Sequence, residues 1–472
     1  MENLRLSSYT ISVKLEIEPN KYMLIHGYTG AIDLVDEDVW NQLKNYSQNS
    51  ILSQDAIDML RQRGYLTDKT LEEEQHYVKR IAQALHKSQM KLYKNWGFVI
   101  TYDCNFRCPY CFENEISHQG KSWSKFTLTE DLVDKAFYAM LQIEPHKELH
   151  HKEILLYGGE PLLREKKNIV KYIVEKGVLN GYKFKVITNG YDINYYEDIL
   201  DNEIFSAFQI TVDGFREKHN IRKKHYKEGN SFDTIISNIE LLLKHEINTT
   251  IRVNIDENNL SDIEVLNRYF QTKGFVDNPH FRMYPSMITE IGEHSNKNGV
   301  KYISDYERFI VKLNEISPKW AHSRDFNIYH KIHSCLVNKT CLSLVSTICP
   351  AQYGTCLFDP YGCIYPCLEV VGKKEHCIGY YGKNAVEWTE MRSNWYNKNV
   401  CEQFLCQTCK FALLCGGRCL ARYMRIKDDS SRICKHFSDV FPVSVNQAYN
   451  VYISSKLKEN GEETDSTCFI KQ

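Results

Sequence analysis

Trp96-Gly-Phe-Val-Ile-Thr-Tyr-Asp-Cys104-Asn-Phe-Arg-Cys108-Pro-Tyr-Cys111 is an apolar run that passes straight into three cysteines. The run reads as a buried strand over 97–102, and the cysteines, spaced by three and then two residues, stand at its carboxyl end. Three thiolates hold only three irons of a cubane and leave one iron open to a chelating ligand. The alternative is a zinc knuckle, in which three cysteines and a distant fourth ligand fix a loop.

Downstream, short apolar strands alternate with helices, the texture of parallel βα units. Strands are expected at 153–157, 184–188, 208–212, 250–255 and 280–284, and helices at 129–141, 168–175, 232–245 and 261–271. In a parallel barrel the functional residues stand where strands exit. The second exit is Tyr157-Gly158-Gly159-Glu160-Pro161, where two glycines let backbone approach a ligand and a carboxylate can accept from an ammonium group. The third is Thr188-Asn189-Gly190. The fourth is Thr211-Val-Asp-Gly214 followed by His219-Asn-Ile-Arg222, and the fifth is Arg252-Val-Asn-Ile255. Taken singly, Asn-Gly and Asp-Gly are ordinary turn formers.

The 472 residues, 43% hydrophobic and 25% charged, suffice for two or three domains with a substantial core. A formal net charge of −1, without long runs of like charge, gives no reason to expect nucleic acid as a partner. The start lacks the basic-then-apolar pattern of a signal peptide, and no apolar run reaches the about twenty residues of a bilayer span. No membrane association and a cytoplasmic location are therefore expected. Seventeen cysteines are many for a reducing compartment, which points to metal ligation rather than disulfides.

None of those cysteines precedes Cys104, and fourteen follow position 334. Cys349 is followed by twelve residues, Gly362, four more residues and Cys367; then come Cys406-x2-Cys409-x5-Cys415-x3-Cys419 and, fourteen residues on, Cys434. With Cys356 these make eight thiolates, enough for two closed cubanes. Crossed ligation would staple a segment with little periodic apolar sequence of its own. Cys335, Cys341, Cys363, Cys377, Cys401 and Cys468 read as plain thiols, with Cys363 or Cys341 as substitutes for Cys356.

Residues 1–90 read as a separate module. Strands are expected at 22–26 and 31–35, a helix capped by Asp36 through Leu43, and a second from Ser53 through Arg63 closed by Gly64. A linker helix is expected within 67–91, with Glu72 to Glu74 as a solvated cluster. The order is that of a small winged-helix unit.

The triple cysteine closely resembles the signature of the radical S-adenosylmethionine (SAM) enzymes, and the tail resembles their C-terminal auxiliary-cluster extension, the SPASM domain. The N-terminal module resembles the precursor-recognition element of maturases acting on ribosomally made peptides. These resemblances imply an α/β fold: a partial (β/α)6 TIM-like barrel over 91–320, a winged-helix-like module over 1–90 and a SPASM domain over 321–472. They imply three [4Fe-4S] clusters and SAM as cofactors. Cys104, Cys108 and Cys111 would hold the catalytic cluster; Cys349, Cys356, Cys367 and Cys419 one auxiliary cluster; Cys406, Cys409, Cys415 and Cys434 the other. Tyr110 would lie near the adenine, Gly158, Gly159 and Glu160 at the methionine amino group, Thr188, Asn189 and Thr211 near the ribose or methionine, and Arg222 near the carboxylate. In that family SAM is cleaved to methionine and a 5′-deoxyadenosyl radical that abstracts hydrogen from substrate. The implied function is a peptide maturase forming a crosslink, with a thioether preferred, served by an external electron donor such as a flavodoxin or ferredoxin. One alternative is an anaerobic sulfatase maturase, against which stand Leu368, where that family carries an Asp, and the N-terminal module. The other is a non-enzymatic iron-sulfur electron carrier.

Overall fold

The computed structural model describes residues 4–46, 52–111, 113, 122–288, 303, 306–317, 320, 327–425 and 431–459. Its first elements are β1 (Arg5–Leu6), β2 (Thr10–Lys14), β3 (Lys21–His26), β4 (Ile32–Asp36), α1 (Glu37–Lys44), α2 (Gln54–Arg63), β5 (Leu66–Thr67) and α3 (Leu71–Gln89). Strands β2, β3 and β4 form an antiparallel sheet, and β1 pairs with β5. The local signals work as physical chemistry requires. Ser53 accepts the Ala56 N–H, Gly64 turns left-handed at φ 94° to stop α2, and Thr70 and Glu73 close a capping box on α3. Asp36 precedes α1 without a side-chain cap bond.

Glu74 departs from the expectation of a solvated acidic cluster. It is fully buried, 2.7 Å from Arg5 and bonded by the Ser7 and Tyr28 hydroxyls, so a buried carboxylate is matched by a cation and neutral donors. Beside it Tyr9, Tyr28, Val78 and Ala82 share a core with Cys401, Cys406 and Leu413 from the tail.

The central sheet begins with β6 (Lys94–Val99), β7 (His150–Tyr157), β8 (Lys183–Thr188), β9 (Phe205–Thr211), β10 (Asn248–Ile255) and β11 (Phe281–Met287). All six are parallel and adjacent in chain order. The helices α4 (Glu130–Ile143), α5 (Lys167–Leu179), α6 (Arg216–Arg222), α7 (Phe232–Lys244) and α8 (Asp262–Thr272) lie between them. The molecule is thus an α/β protein built on a parallel sheet. Alternation decides the faces: Phe98, Phe184 and Ile210 meet Phe137 of α4, Gly177 of α5 and the Gly190–Ile235 contact near α7, so that face is the outer, helix-covered one. The residues between them, such as Leu155, Gln209 and Arg252, look inward.

The sheet does not stop at the barrel. The strands β12 (Thr355–Phe358), β13 (Cys363–Tyr365), β14 (Gly379–Tyr380) and β15 (Glu387–Trp388) extend it beyond β6, with β12 parallel to β6 and the rest antiparallel. Phe358, Ile364 and Tyr365 share the barrel's core, so the tail packs as part of it. Among the described residues no helix is long and apolar enough to cross a membrane.

Candidate active site

The cysteine loop is clamped from both sides. On leaving β6, Ile100 N–H donates to Tyr157 O at 2.8 Å, and the Asp103 carboxylate accepts Cys104 N–H at 3.0 Å. The stretch after α6 holds the other edge: Arg107 N–H donates to Lys224 O and Tyr226 N–H to Asn105 O, each at 2.9 Å, while Phe106 bridges to His225. The Asn105 side chain accepts from Asn189 Nδ2 at 2.7 Å, which joins the loop to the third exit.

Gly158 and Gly159 serve a different contact from the one expected. A Cβ on Gly158 would lie 2.4 Å from Thr101 O, and one on Gly159 would lie 2.4 Å from Asp103 O and 2.5 Å from Tyr102 O. The glycines therefore let the second exit press against the first, and Gly159 N–H and Glu160 N–H bond to Thr101 O and Asp103 O across that seam. Glu160 is buried and accepts from Thr188 Oγ1 at 2.6 Å, Asn189 N–H at 2.7 Å and Leu162 N–H at 2.9 Å. Burial still pushes its carboxyl up to about 7. A carboxylate has roughly four acceptor positions, so one remains for an ammonium. Thr188 and Asn189 thus aim Glu160.

Tyr110, the residue before the last cysteine of the loop, donates its hydroxyl to Asp213, and Asn254 Nδ2 approaches that hydroxyl at 3.3 Å. Arg222 lies against the Tyr110 ring, 5.2 Å from its centre, with Asp256 at 2.9 Å and Asp213 at 3.7 Å. The guanidinium is already answered by two buried carboxylates, so Arg222 stands as a link of Tyr110 to the fourth and fifth exits. His219, on the same helix α6, accepts from Asp213 N–H and faces Ser231; burial drops it to about 3, which keeps it neutral. Thr211 ends β9 on the inner face, in register with Arg252.

Lys223 is the residue that sequence reading missed. Burial works against its ammonium, but Cys108, Asp213, Cys104 and Cys111 around it raise its pKa above the ordinary value. The signal was faint: it is one of several lysines after Arg222, and only the fold turns it inward. Burial pushes all three thiols up, with each other's charge adding to the shifts of Cys104 and Cys111. Among the described residues no three His, Cys, Asp or Glu donors close into the tight shell of a single metal ion. Three gathered thiols with a buried cation facing them suit a thiolate-bound cubane, whose negative charge that cation would offset.

In the tail, Cys406 stands within electrostatic reach of Cys415, Cys434 and Cys409, and Cys367 of Cys419 and Cys349. Cys356, on β12, faces the other side of the sheet. It is in register with Trp96, on the outer face with Phe358, and its sulfur is 3.7 Å from the Tyr396 hydroxyl. Its charged neighbours are Arg392 and Lys94. Cys367, by contrast, lies near Tyr157, which is in register with Val99 on the inner face. Cys367 closely follows β13, the strand paired with β12, so the two cysteines are near neighbours along the sheet that stand on opposite faces by alternation.

Residues 98–270 match the Radical SAM superfamily. A cysteine-type anaerobic sulfatase-maturating enzyme of Clostridium novyi is 24% identical over 343 residues, which cover 67% of this chain and 85% of that protein. The radical SAM cyclopropyl synthase TigE of Paramaledivibacter caminithermalis is 20% identical over 468 residues, covering 88% and 89%. Among solved structures, anSMEcpe with bound AdoMet superimposes with a TM-score of 0.54 at 19% identity, over 76% of this chain and 99% of that one. Streptococcus suis SuiB gives 0.50 at 13% identity, over 90% and 99%. Both structures share the fold. Residues 98–270 thus form a Radical SAM domain whose strand exits gather three cysteines around a buried lysine, in a chain related to the sulfatase maturases.

Proposed function

We propose that the chain is a radical SAM peptide maturase that abstracts hydrogen from a ribosomally made precursor peptide and joins two of its residues, preferentially by a thioether. In this reading residues 1–90 hold the precursor's leader, 91–320 carry the radical chemistry and 321–472 carry two auxiliary clusters. An external donor such as a flavodoxin or ferredoxin supplies electrons, and the enzyme works in the cytoplasm. The observation that supports it is Tyr157, which stands at the second exit within electrostatic reach of both Cys111 and Cys367. One wall of the barrel thereby faces the first cysteine set and a tail set together, as a substrate oxidised by one electron after hydrogen abstraction requires. When bound, the cluster and SAM supply the 5′-deoxyadenosyl radical. The chain's own residues then have three tasks: Glu160 offers an acceptor to the SAM ammonium, Tyr110 and Arg222 shape the floor beneath it, and Lys223 balances thiolate charge.

Anaerobically reconstituted enzyme, incubated with SAM, reductant and the peptide encoded beside its gene, is expected to remove two hydrogens from that peptide without making an aldehyde. An unchanged mass contradicts crosslinking. The second reading, formylglycine formation, draws support from the sulfatase-maturating relatives and from the similarity to anSMEcpe with AdoMet and the Cp18Cys peptide, at a TM-score of 0.54 and 19% identity. A product captured by a hydrazide, with loss of sulfur where the target is cysteine, selects it.

A further inference from the structure

The inner face of the barrel carries a charge pattern that the chemistry at the strand exits does not use. Lys185 of β8, Arg252 of β10 and Arg282 of β11 share that face by alternation, since their neighbours Val186 and Ile251 are buried on the outer one. Lys185 and Arg282 are exposed and Arg252 is half-buried. Arg252 Nε donates to Asn254 Oδ1 at 2.9 Å, and among the described residues none of the three cations meets a carboxylate. The other two charges on this face, Lys183 and Glu153, are of opposite sign and lie in register. Three positive charges are left over on a concave wall. Between them Gln209 accepts the Tyr284 hydroxyl at 3.1 Å, a polar lining rather than an apolar plug.

Register places these cations at different depths. Arg252 is level with Thr211 at the exit of β9, whereas Lys185 is level with Ala207, four residues deeper. At about 3.3 Å per residue the wall therefore carries positive charge from the reaction centre down to about 13 Å below it. Like-signed charge in a cleft raises the local concentration of an oppositely charged ligand and selects its sign.

We propose that this wall binds acidic side chains of the peptide substrate, with carboxylates within about four positions of the residue that is modified. The inference rests on the peptide reading above and adds the substrate's charge to it. A neutral or basic segment would leave the three cations unanswered when it displaced their water, at a cost in affinity.

The test uses the reconstituted holoenzyme and three fluorescein-labelled decapeptides of alternating Gly-Glu, Gly-Ser and Gly-Lys, with binding followed by anisotropy across a range of salt. The Gly-Glu peptide is expected to bind at least tenfold more tightly than Gly-Ser, with an advantage that shrinks as salt rises. Reversing the wall with Lys185→Glu and Arg282→Glu together is expected to abolish that preference, while Lys185→Arg with Arg282→Lys keeps it. Retained iron content in both variants shows that they are folded. Equal binding of Gly-Glu and Gly-Ser, or a preference that survives charge reversal, overturns the charge assignment and leaves the peptide reading standing. If no peptide binds and guanosine triphosphate does, both fall.

Discussion

The Arg222 guanidinium lies 2.9 Å from the Asp256 carboxylate and 5.2 Å from the centre of the Tyr110 ring. One side chain thus couples the cysteine loop, which carries Tyr110, to the loop after β10, which carries Asp256. The pair is buried, with Arg222 6% exposed and Asp256 fully covered. Breaking a buried pair by removing one partner costs about 3–5 kcal/mol, because the remaining charge has no water to return to. Arg222→Ala is expected to lower the thermal midpoint sharply, and Asp256→Asn less, since Asp213 still faces the guanidinium. Equal, small shifts in calorimetry would contradict the coupling.

Glu160→Gln is expected to weaken SAM binding at least tenfold while the iron content stays at the wild-type level. The amide keeps the shape that Thr188 and Asn189 hold and loses the charge that an ammonium needs. Equilibrium dialysis with labelled SAM measures it. Unchanged affinity would remove Glu160 from the methionine site.

Cys356→Ala is expected to leave iron per chain unchanged, whereas Cys367→Ala should lose about four irons. The distinction follows from the faces of the sheet, Cys356 being packed with Trp96 and beside Tyr396 on the outer side. Equal iron loss in the two variants, by colorimetric assay after anaerobic reconstitution, would restore Cys356 as a ligand.

His26 is fully buried between Ser7 and Thr29, and burial drops it to about 4. Its folded pKa lies below the unfolded value near 6.5, so the unfolded chain takes up the proton first. The stabilisation is complete above about 6.5 and is lost as pH falls toward 4, to the extent of about 3 kcal/mol. Thermal midpoints between pH 7 and 5 should fall in the wild type and fall less in His26→Gln; parallel profiles would count against it.

Much of the barrel was legible because each strand is a short apolar run that ends at chemistry. The expected strand over 153–157 became His150–Tyr157 and that over 250–255 became Asn248–Ile255. What escaped the sequence was set by contacts distant along the chain. The strand β12 has four residues, too few for periodicity, and exists because it pairs with β6 across more than 250 positions. His219 and Arg222 read as part of the fourth exit without an element of their own and stand on α6, a helix of seven residues below the length that pattern reveals. Gly158 and Gly159 read as places where backbone approaches closely, and the backbone they admit belongs to the neighbouring exit. Glu74 looked like one of three surface acids until Arg5 closed over it.

All of the proposed chemistry requires the Cys104–Cys111 loop to present an iron with an open position to SAM. The decisive assay holds the purified enzyme without oxygen with SAM and dithionite and quantifies 5′-deoxyadenosine by liquid chromatography. The wild type is expected to release 5′-deoxyadenosine and Cys104→Ala none. Equal amounts from the two, or none from a wild type replete in iron, would contradict it.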